Sequence, residues 1–353
     1  MAKVNTWSAT TLIPGSGPDS RKPVLAVVGE TLHLAWSRGR VLYHSTLEGS
    51  TWSVPVRVAS GEEPTLCATP DGRLHCLFTH KFIGNYEVYH VTLTGGRWSL
   101  PEPVSRTPGV SSSPALTVGP DGSLHAAWAD TTPGYPTIYY GRYDAPFWTS
   151  APIPSGRGTL PSITQTLTGD VHVAWQDRTD ATGPYDILSS VLRDRQWSVP
   201  QIVSNSPAAH SLRPQLLSGT KGDCYLVWQE EAGNLYHVRY AERGPNGWRS
   251  PADLSPGSDD CRLPYLGRNE QNFLEIVWLE GPHLRHRVRP PETQADWWPA
   301  EIAVANSTGL SEVSMVIERN GQVHVVLSGY QDSNAHDLFY AHRRPVVEEV
   351  IIT

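Results

Sequence analysis

The sequence predicts an all-β fold, a seven-bladed β-propeller of four-stranded antiparallel blades. Two observations carry this: a tryptophan segment that recurs at blade-length intervals, and a second strand motif that recurs in the same phase. A third, the tryptophan segment left over at the N-terminus, predicts how the ring closes.

Trp7, Trp52, Trp98, Trp148, Trp197, Trp248 and Trp297 stand 45, 46, 50, 49, 51 and 49 residues apart, mostly followed by small or polar residues and often by Pro. Leu-His-Leu-Ala-Trp at Leu32 to Trp36 is echoed at Leu74 to Phe78, Leu124 to Trp128, Val171 to Trp175, Cys224 to Trp228, Leu274 to Trp278 and Val323 to Leu327. These seven echoes are strand b of seven blades. Upstream of each stands Pro23, Pro64, Pro114, Pro161, Pro214 or Pro264, with Val313 in the seventh, read as the residue that opens strand a. Turns such as Pro70-Asp71-Gly72, Pro120-Asp121-Gly122 and Asn320-Gly321 join strands a and b, because Gly takes positive φ without a Cβ clash. Strand c is aromatic-rich, as in Leu42-Tyr43-His44, Ile138-Tyr139-Tyr140 and Leu338-Phe339-Tyr340, and strand d carries the recurring Trp.

The seventh a-b-c set, ending near Tyr340, has no Trp segment after it. Thr6-Trp7-Ser8 matches Thr51-Trp52-Ser53, so the N-terminus is expected to supply the missing strand d and cover an otherwise unpaired edge. The domain reading is one propeller over residues 1–345, with blade seven made of 311–343 plus strand d from 4–13. Beyond it lies an apolar tail, 346–353. Five of its eight residues are Val or Ile, so it is expected to be covered, either by lying against the outside of its own ring or, the favoured reading, by self-association or a domain contact.

Composition narrows the function classes. The 353 residues are 39% hydrophobic and 18% charged, a balance that builds a core, and 30 Gly with 30 Pro break the chain into short segments. The net charge of -7 and the absence of a basic run argue against nucleic acid as a partner. No apolar run approaches the roughly 20 residues of a membrane span, and Met1 to Trp7 lack a signal-peptide core. A soluble, untargeted chain is expected, cytoplasmic if Met1 is the native start and extracellular if the chain is processed or excised. Cys67, Cys76, Cys224 and Cys261 show no metal-ligand spacing, so they are read as thiols, with no metal and no cofactor.

The repeats resemble the sialidase superfamily and its bacterial-neuraminidase-repeat relatives over essentially the whole ring. Ser45-Thr46-Leu47-Glu48-Gly49-Ser50-Thr51-Trp52 is similar to the Asp-box S-x-D-x-G-x-T-W at Ser45, Gly49, Thr51 and Trp52, with Leu47 in place of the aspartate. Other blades keep less, so the boxes are eroded. Arg262-Leu263-Pro264 resembles the R-I-P motif that contributes one of three carboxylate-binding arginines in sialidases, and Arg21-Lys22-Pro23 and Arg213-Pro214 place further arginines beside the same Pro. The family's rings have six blades and this one has seven. Neither a tyrosine nucleophile nor its glutamate partner nor an acid aspartate maps onto matching motifs, so no catalytic residue is assigned.

What repeats is read as scaffold. His33, His75, His125, His172 and His324 share one blade position and are expected to be buried and bonded to backbone; Asp130, Asp177, Glu230 and Glu280 recur two residues after the strand-b aromatic. What departs from the pattern is read as site. On the face built from b-to-c and d-to-a loops the ligand-binding candidates are Arg21, Arg213, Arg262, Tyr185, Tyr330, Asp177 and Glu230. Glu62, Glu63, Phe82, Tyr86 and Tyr135 stand on the same loops. Arginine forks suit carboxylate or sulfate, and the aromatic rings suit sugar faces. The favoured reading is a non-catalytic propeller that recognises a glycan, including acidic ones, or a protein at the channel mouth. The alternative is a carbohydrate-active enzyme, a sialidase-like hydrolase or a polysaccharide lyase using Tyr, His and Arg. A second alternative is an assembly propeller.

Overall fold

The computed structural model describes residues 7–81, 84–178, 180, 182–255, 259–291, 296–305, 309–330 and 336–345. The tail 346–353, Phe82 and the start of the N-terminal segment lie outside them. The described residues form seven antiparallel sheets in which strands a, b, c and d lie side by side in chain order. Strands a run over Ser20–Val28, Glu62–Ala68, Ser111–Val118, Thr159–Gln165, Ser211–Ser218, Cys261–Arg268 and Glu312–Ile317. Each packs against strand a of the next blade, and the last packs against the first, so these strands make a closed inner ring.

Closure follows the expected route. Thr11 and Leu12 pair with Tyr340 and Phe339 of the last strand c, and Trp7 bridges to Arg343. Ile13 is buried with Leu25, Leu338 and Tyr340 across the seam between blades seven and one.

The core lies between blades. Trp36, Phe78, Trp128, Trp175, Trp228 and Trp278 of strands b are fully buried, and each apolar cluster draws on two neighbouring sheets, as Ala127 and Ile138 do with Ile163 and Trp175. Burying rings of this size supplies most of the inter-blade attraction. Strand d is short and usually split by Pro: Thr51–Trp52 and Val56–Ser60 flank Pro55 in blade one. It is the outer edge, where a missing N–H is tolerated.

Two expectations need correction. The repeated Pro does not open strand a; it sits inside it. In six blades the register between strands a and b slips at this point, for example between Arg21 and Val24 and between Arg262 and Tyr265. The residue before Pro adopts positive φ in all six: Lys22, Glu63, Ser113, Leu160, Arg213 and Leu263, at 49 to 57°. Pro cannot donate to the ladder, so the strand bulges around it. Blade seven, with Val313, pairs without a slip, as the chemistry requires. The strained residue is held by the neighbouring blade: the N–H groups of Lys22, Ser113, Arg213 and Leu263 donate to Glu312, Glu63, Gln176 and Gln229 respectively.

The strand-b histidines are buried, but their partners are side chains rather than backbone. His33 Nδ1 meets His44 Nε2 at 3.0 Å, His75 meets His90 at 3.0 Å, and His125 and His324 bond the Tyr140 and Tyr340 hydroxyls at 2.6 and 2.7 Å. Antiparallel pairing puts strand-c side chains on the same face within reach.

Candidate functional site

The inner bulges shape the mouth of the ring. A cavity of about 230 Å³ lies on the axis, lined by Lys22, Glu63, Ser113, Leu160 and Arg213 with the prolines that follow Glu63, Ser113, Leu160 and Arg213. Its charges are largely answered within the fold, since Lys22 Nζ lies 3.8 Å from Glu312 and Glu63 caps the Ser113 N–H.

Two further cavities open on the same face between blades. One of about 320 Å³ is lined by Arg213, Gln229, Asp260, Arg262 and Leu263 with Leu310 and Ser311. Arg213 and Arg262 therefore share a space, whereas Arg21 lines neither this cavity nor the axial one. Arg21 sits near enough to His336 at the blade seven boundary to lower that imidazole's proton affinity, after burial. Arg262 is bound through Nε by Asp260, and its guanidinium lies 4.6 Å from the Tyr236 ring centre.

The other cavity, about 420 Å³, lies between blades four and five and is lined by Arg178, Thr182 to Pro184, Ala208, His210, Glu231 and Gly233. Tyr185, the first residue of strand c, stands beside it. Its ring carries Arg178 at 4.6 Å on its face and stands 5.7 Å from the His210 ring. The Tyr185 N–H donates to His210 Nδ1 at 3.0 Å, which leaves Nε2 to carry the proton of the neutral ring, 3.9 Å from Glu231. Among the described residues, no acid lies in salt-bridge reach of Arg178 or Arg213, and Arg178 Nε is buried without a hydrogen-bond partner. Arg178 and Glu231 both line this cavity, so its wall carries both signs of charge.

The remaining candidates divide. Asp177 reaches the surface beside Arg157, Nε to Oδ1 3.8 Å, and burial pushes its carboxyl above the usual range. Glu230 lies beneath the site, where it accepts from Ser211 Oγ and the Trp228 indole and faces Arg239, so its oxygens serve the scaffold. Tyr330 packs on His336, ring centres 4.0 Å apart, at the seam of blades seven and one and away from Tyr185. Tyr135 is half exposed under Arg157. Sequence reasoning did not single out Arg178, His210, Arg157 or Tyr236. His210 carried a usable signal, because it occupies the place before strand a where blades one and six have Asp19 and Asp260.

Among the described residues, no group of three or more His, Cys, Asp or Glu is placed to hold a metal ion, and no helix is long and apolar enough to cross a membrane.

No protein-family model and no curated protein sequence matches the chain. Solved structures do resemble it. A polysaccharide lyase, an ulvan lyase, superposes with a TM-score of 0.67 at 8% identity over 92% of this chain and 93% of its own. A protein of unknown function from Dyadobacter fermentans gives 0.58 at 14% identity over 98% and 99%. The intramolecular trans-sialidase of Ruminococcus gnavus, in complex with oseltamivir carboxylate, gives 0.56 at 10% over 95% and 98%. At these identities the likeness establishes the fold alone, a β-propeller.

Proposed function

We propose that this propeller is a carbohydrate-active enzyme that binds an acidic saccharide between blades four and five and cleaves it by elimination. The observation that carries the reading is that Arg178 and His210 line one open cavity with the Tyr185 ring packed against both, the Arg178 guanidinium being unmatched by any acid among the described residues. That several neighbours in fold are lyases, hydrolases or trans-sialidases supports this alternative over binding alone.

In such a reaction Arg178 holds the carboxylate of a uronate and stabilises the charge that spreads onto it when the adjacent carbon loses its proton. In its phenolate form Tyr185 Oη takes that proton. The electron pair forms the new carbon–carbon double bond as the bond to the glycosidic oxygen breaks, and Tyr185 returns the proton to the departing oxygen. His210, its Nδ1 held by the Tyr185 N–H, orients the saccharide through Nε2–H. Hydrolysis by a carboxylate pair fits less well, because Glu63, Glu230 and Glu312 are committed to backbone or core partners and Asp260 is tied to Arg262 and to the Tyr236 N–H.

The test is incubation with polygalacturonate, ulvan, hyaluronan and sialosides, following the ultraviolet absorbance of an unsaturated uronate and, separately, release of sialic acid. Tyr185→Phe should lower turnover by about two orders of magnitude or more while leaving binding in place. Binding of an acidic polymer with no product of either kind would return the weight to a glycan-binding propeller. That second reading draws on the His210 ring already being engaged by the Tyr185 backbone and facing Glu231.

A further inference from the structure

Three arginine-on-tyrosine pairs stand on the same face in consecutive blades. Arg157 lies 5.7 Å from the ring centre of Tyr135 of blade three, Arg178 lies 4.6 Å from that of Tyr185 of blade four, and Arg262 lies 4.6 Å from that of Tyr236 of blade five. The repeat does not impose them. Arg157 ends a strand d, Arg178 ends a strand b and Arg262 is the second residue of a strand a, so the chain reaches one arrangement by three routes.

The pairs also share a chemistry. Arg262 Nε donates to Asp260, Arg157 Nε lies 3.8 Å from Asp177 without a hydrogen bond, and Arg178 Nε is buried with no partner. In none of the three do the terminal nitrogens have a partner among the described residues. About half of the Arg157 and Arg262 side-chain surface is exposed, 58% and 51%. A guanidinium laid over a ring has its orientation set by the ring, and its free edge is the part that grips carboxylate or sulfate by two parallel hydrogen bonds. Repeated from blade to blade, that unit matches a ligand whose anionic groups also repeat.

We infer that blades three to five form a track for a linear saccharide bearing carboxylate or sulfate groups on successive residues, with the blade four pair at the reacting residue and the other two as flanking subsites. The inference rests on the reading of this face as a saccharide site and adds that the ligand is a polymer segment rather than a single sugar. The overall charge of -7 makes the attraction local, so it should be short-ranged and strongly salt-dependent.

The experiment is calorimetric titration of the full chain with galacturonate oligomers and heparin oligosaccharides of increasing length, over a range of salt concentrations. Affinity should rise with length until the oligomer spans all three pairs and then level off. Arg157→Gln and Arg262→Gln should each weaken the longer oligomers by about tenfold, the equivalent of one charged hydrogen bond. Each should also make binding less salt-dependent while leaving monomeric galacturonate unaffected. Circular dichroism establishes that both variants fold. Equal affinity for monomer and oligomer, or no binding of either polyanion, overturns the track. Length-dependent binding without any product supports the track while removing the elimination chemistry, and product formation without length dependence does the reverse.

Discussion

Removing residues 1–13 should destabilise the ring severely, and the structure says by roughly how much. Ile13 is 1% exposed in the cluster that joins blades seven and one, and loss of a buried side chain of this size costs about 3 kcal/mol. The segment also donates from the Ser8 and Ile13 N–H groups to His342 and Leu338 carbonyls at 2.8 and 2.9 Å, and from the Trp7 indole to Glu301 at 3.2 Å, at about 1 kcal/mol each. The combined loss of about 6 kcal/mol is comparable to the whole stability of many domains, about 5–15 kcal/mol. Urea unfolding followed by tryptophan fluorescence measures it, with Ile13→Ala as the milder variant expected to lose about half as much. Hydrogen exchange at residues 337–343 should accelerate in the deletion, because that strand becomes a sheet edge, and to a smaller degree in Ile13→Ala, where the paired segment is only loosened. An unchanged unfolding midpoint and unchanged exchange in the deletion would refute the account of closure.

Three further outcomes follow from the interior. Glu275 and Arg343 are both buried and bonded to each other, with His286 joining Glu275 at 2.9 Å and Glu301 at 2.8 Å; Arg343→Ala should cost about 3–5 kcal/mol in a denaturation experiment, and Arg343→Met with Glu275→Leu should recover most of it. Burial holds His44 and His90 down to about 3 and His75, His125 and His172 down to about 4, so the folded protein keeps them neutral while the unfolded chain protonates them near 6.5. Stability should therefore be complete above about pH 6.5 and fall as the pH drops toward 4, with His172 alone accounting for about 3 kcal/mol and His172→Phe flattening its share of the slope in thermal melts. Glu301 acts in the same sense at lower pH: burial raises its carboxyl, but hydrogen bonds from His286 and Trp7 and the charges of His286 and Arg343 outweigh it and hold it low. Glu301→Gln should make the seam less sensitive to acid near the carboxylate range, read as a smaller loss of melting temperature between neutral and acid pH.

The repeat was legible because each blade is a local object. Four short strands joined by tight turns leave a regular spacing of tryptophans and a recurring strand-b motif, variants of Leu-His-Leu-Ala-Trp, in the same phase, and the odd Trp7 segment revealed the closure. The Pro in strand a was equally visible, yet its consequence was misread. Whether Pro opens a strand or bends it depends on where strand b lies, and the slip in register at Arg21 to Val24 exists only in the paired sheet.

The site was legible in its materials and not in its grouping. Arg213 and Arg262 were found from their place beside Pro, and the structure puts them at one cavity. Arg21, with the same local signature, faces a different seam, because the rotation from one blade to the next separates equivalent positions. Arg178, Tyr185 and His210 come from the end of one strand, the start of the next and the loop entering the following blade. Their meeting is set by how blade four packs on blade five. The same holds for the Glu275, His286, Glu301 and Arg343 network, which spans two blades and the N-terminal segment. The sequence by itself determined the class, the number of blades and the strand that closes them, since those depend on turn spacing and alternation along the chain. Only the tertiary structure decided which side chains share a cavity, because that depends on the packing between sheets, where separation along the chain carries no information about distance.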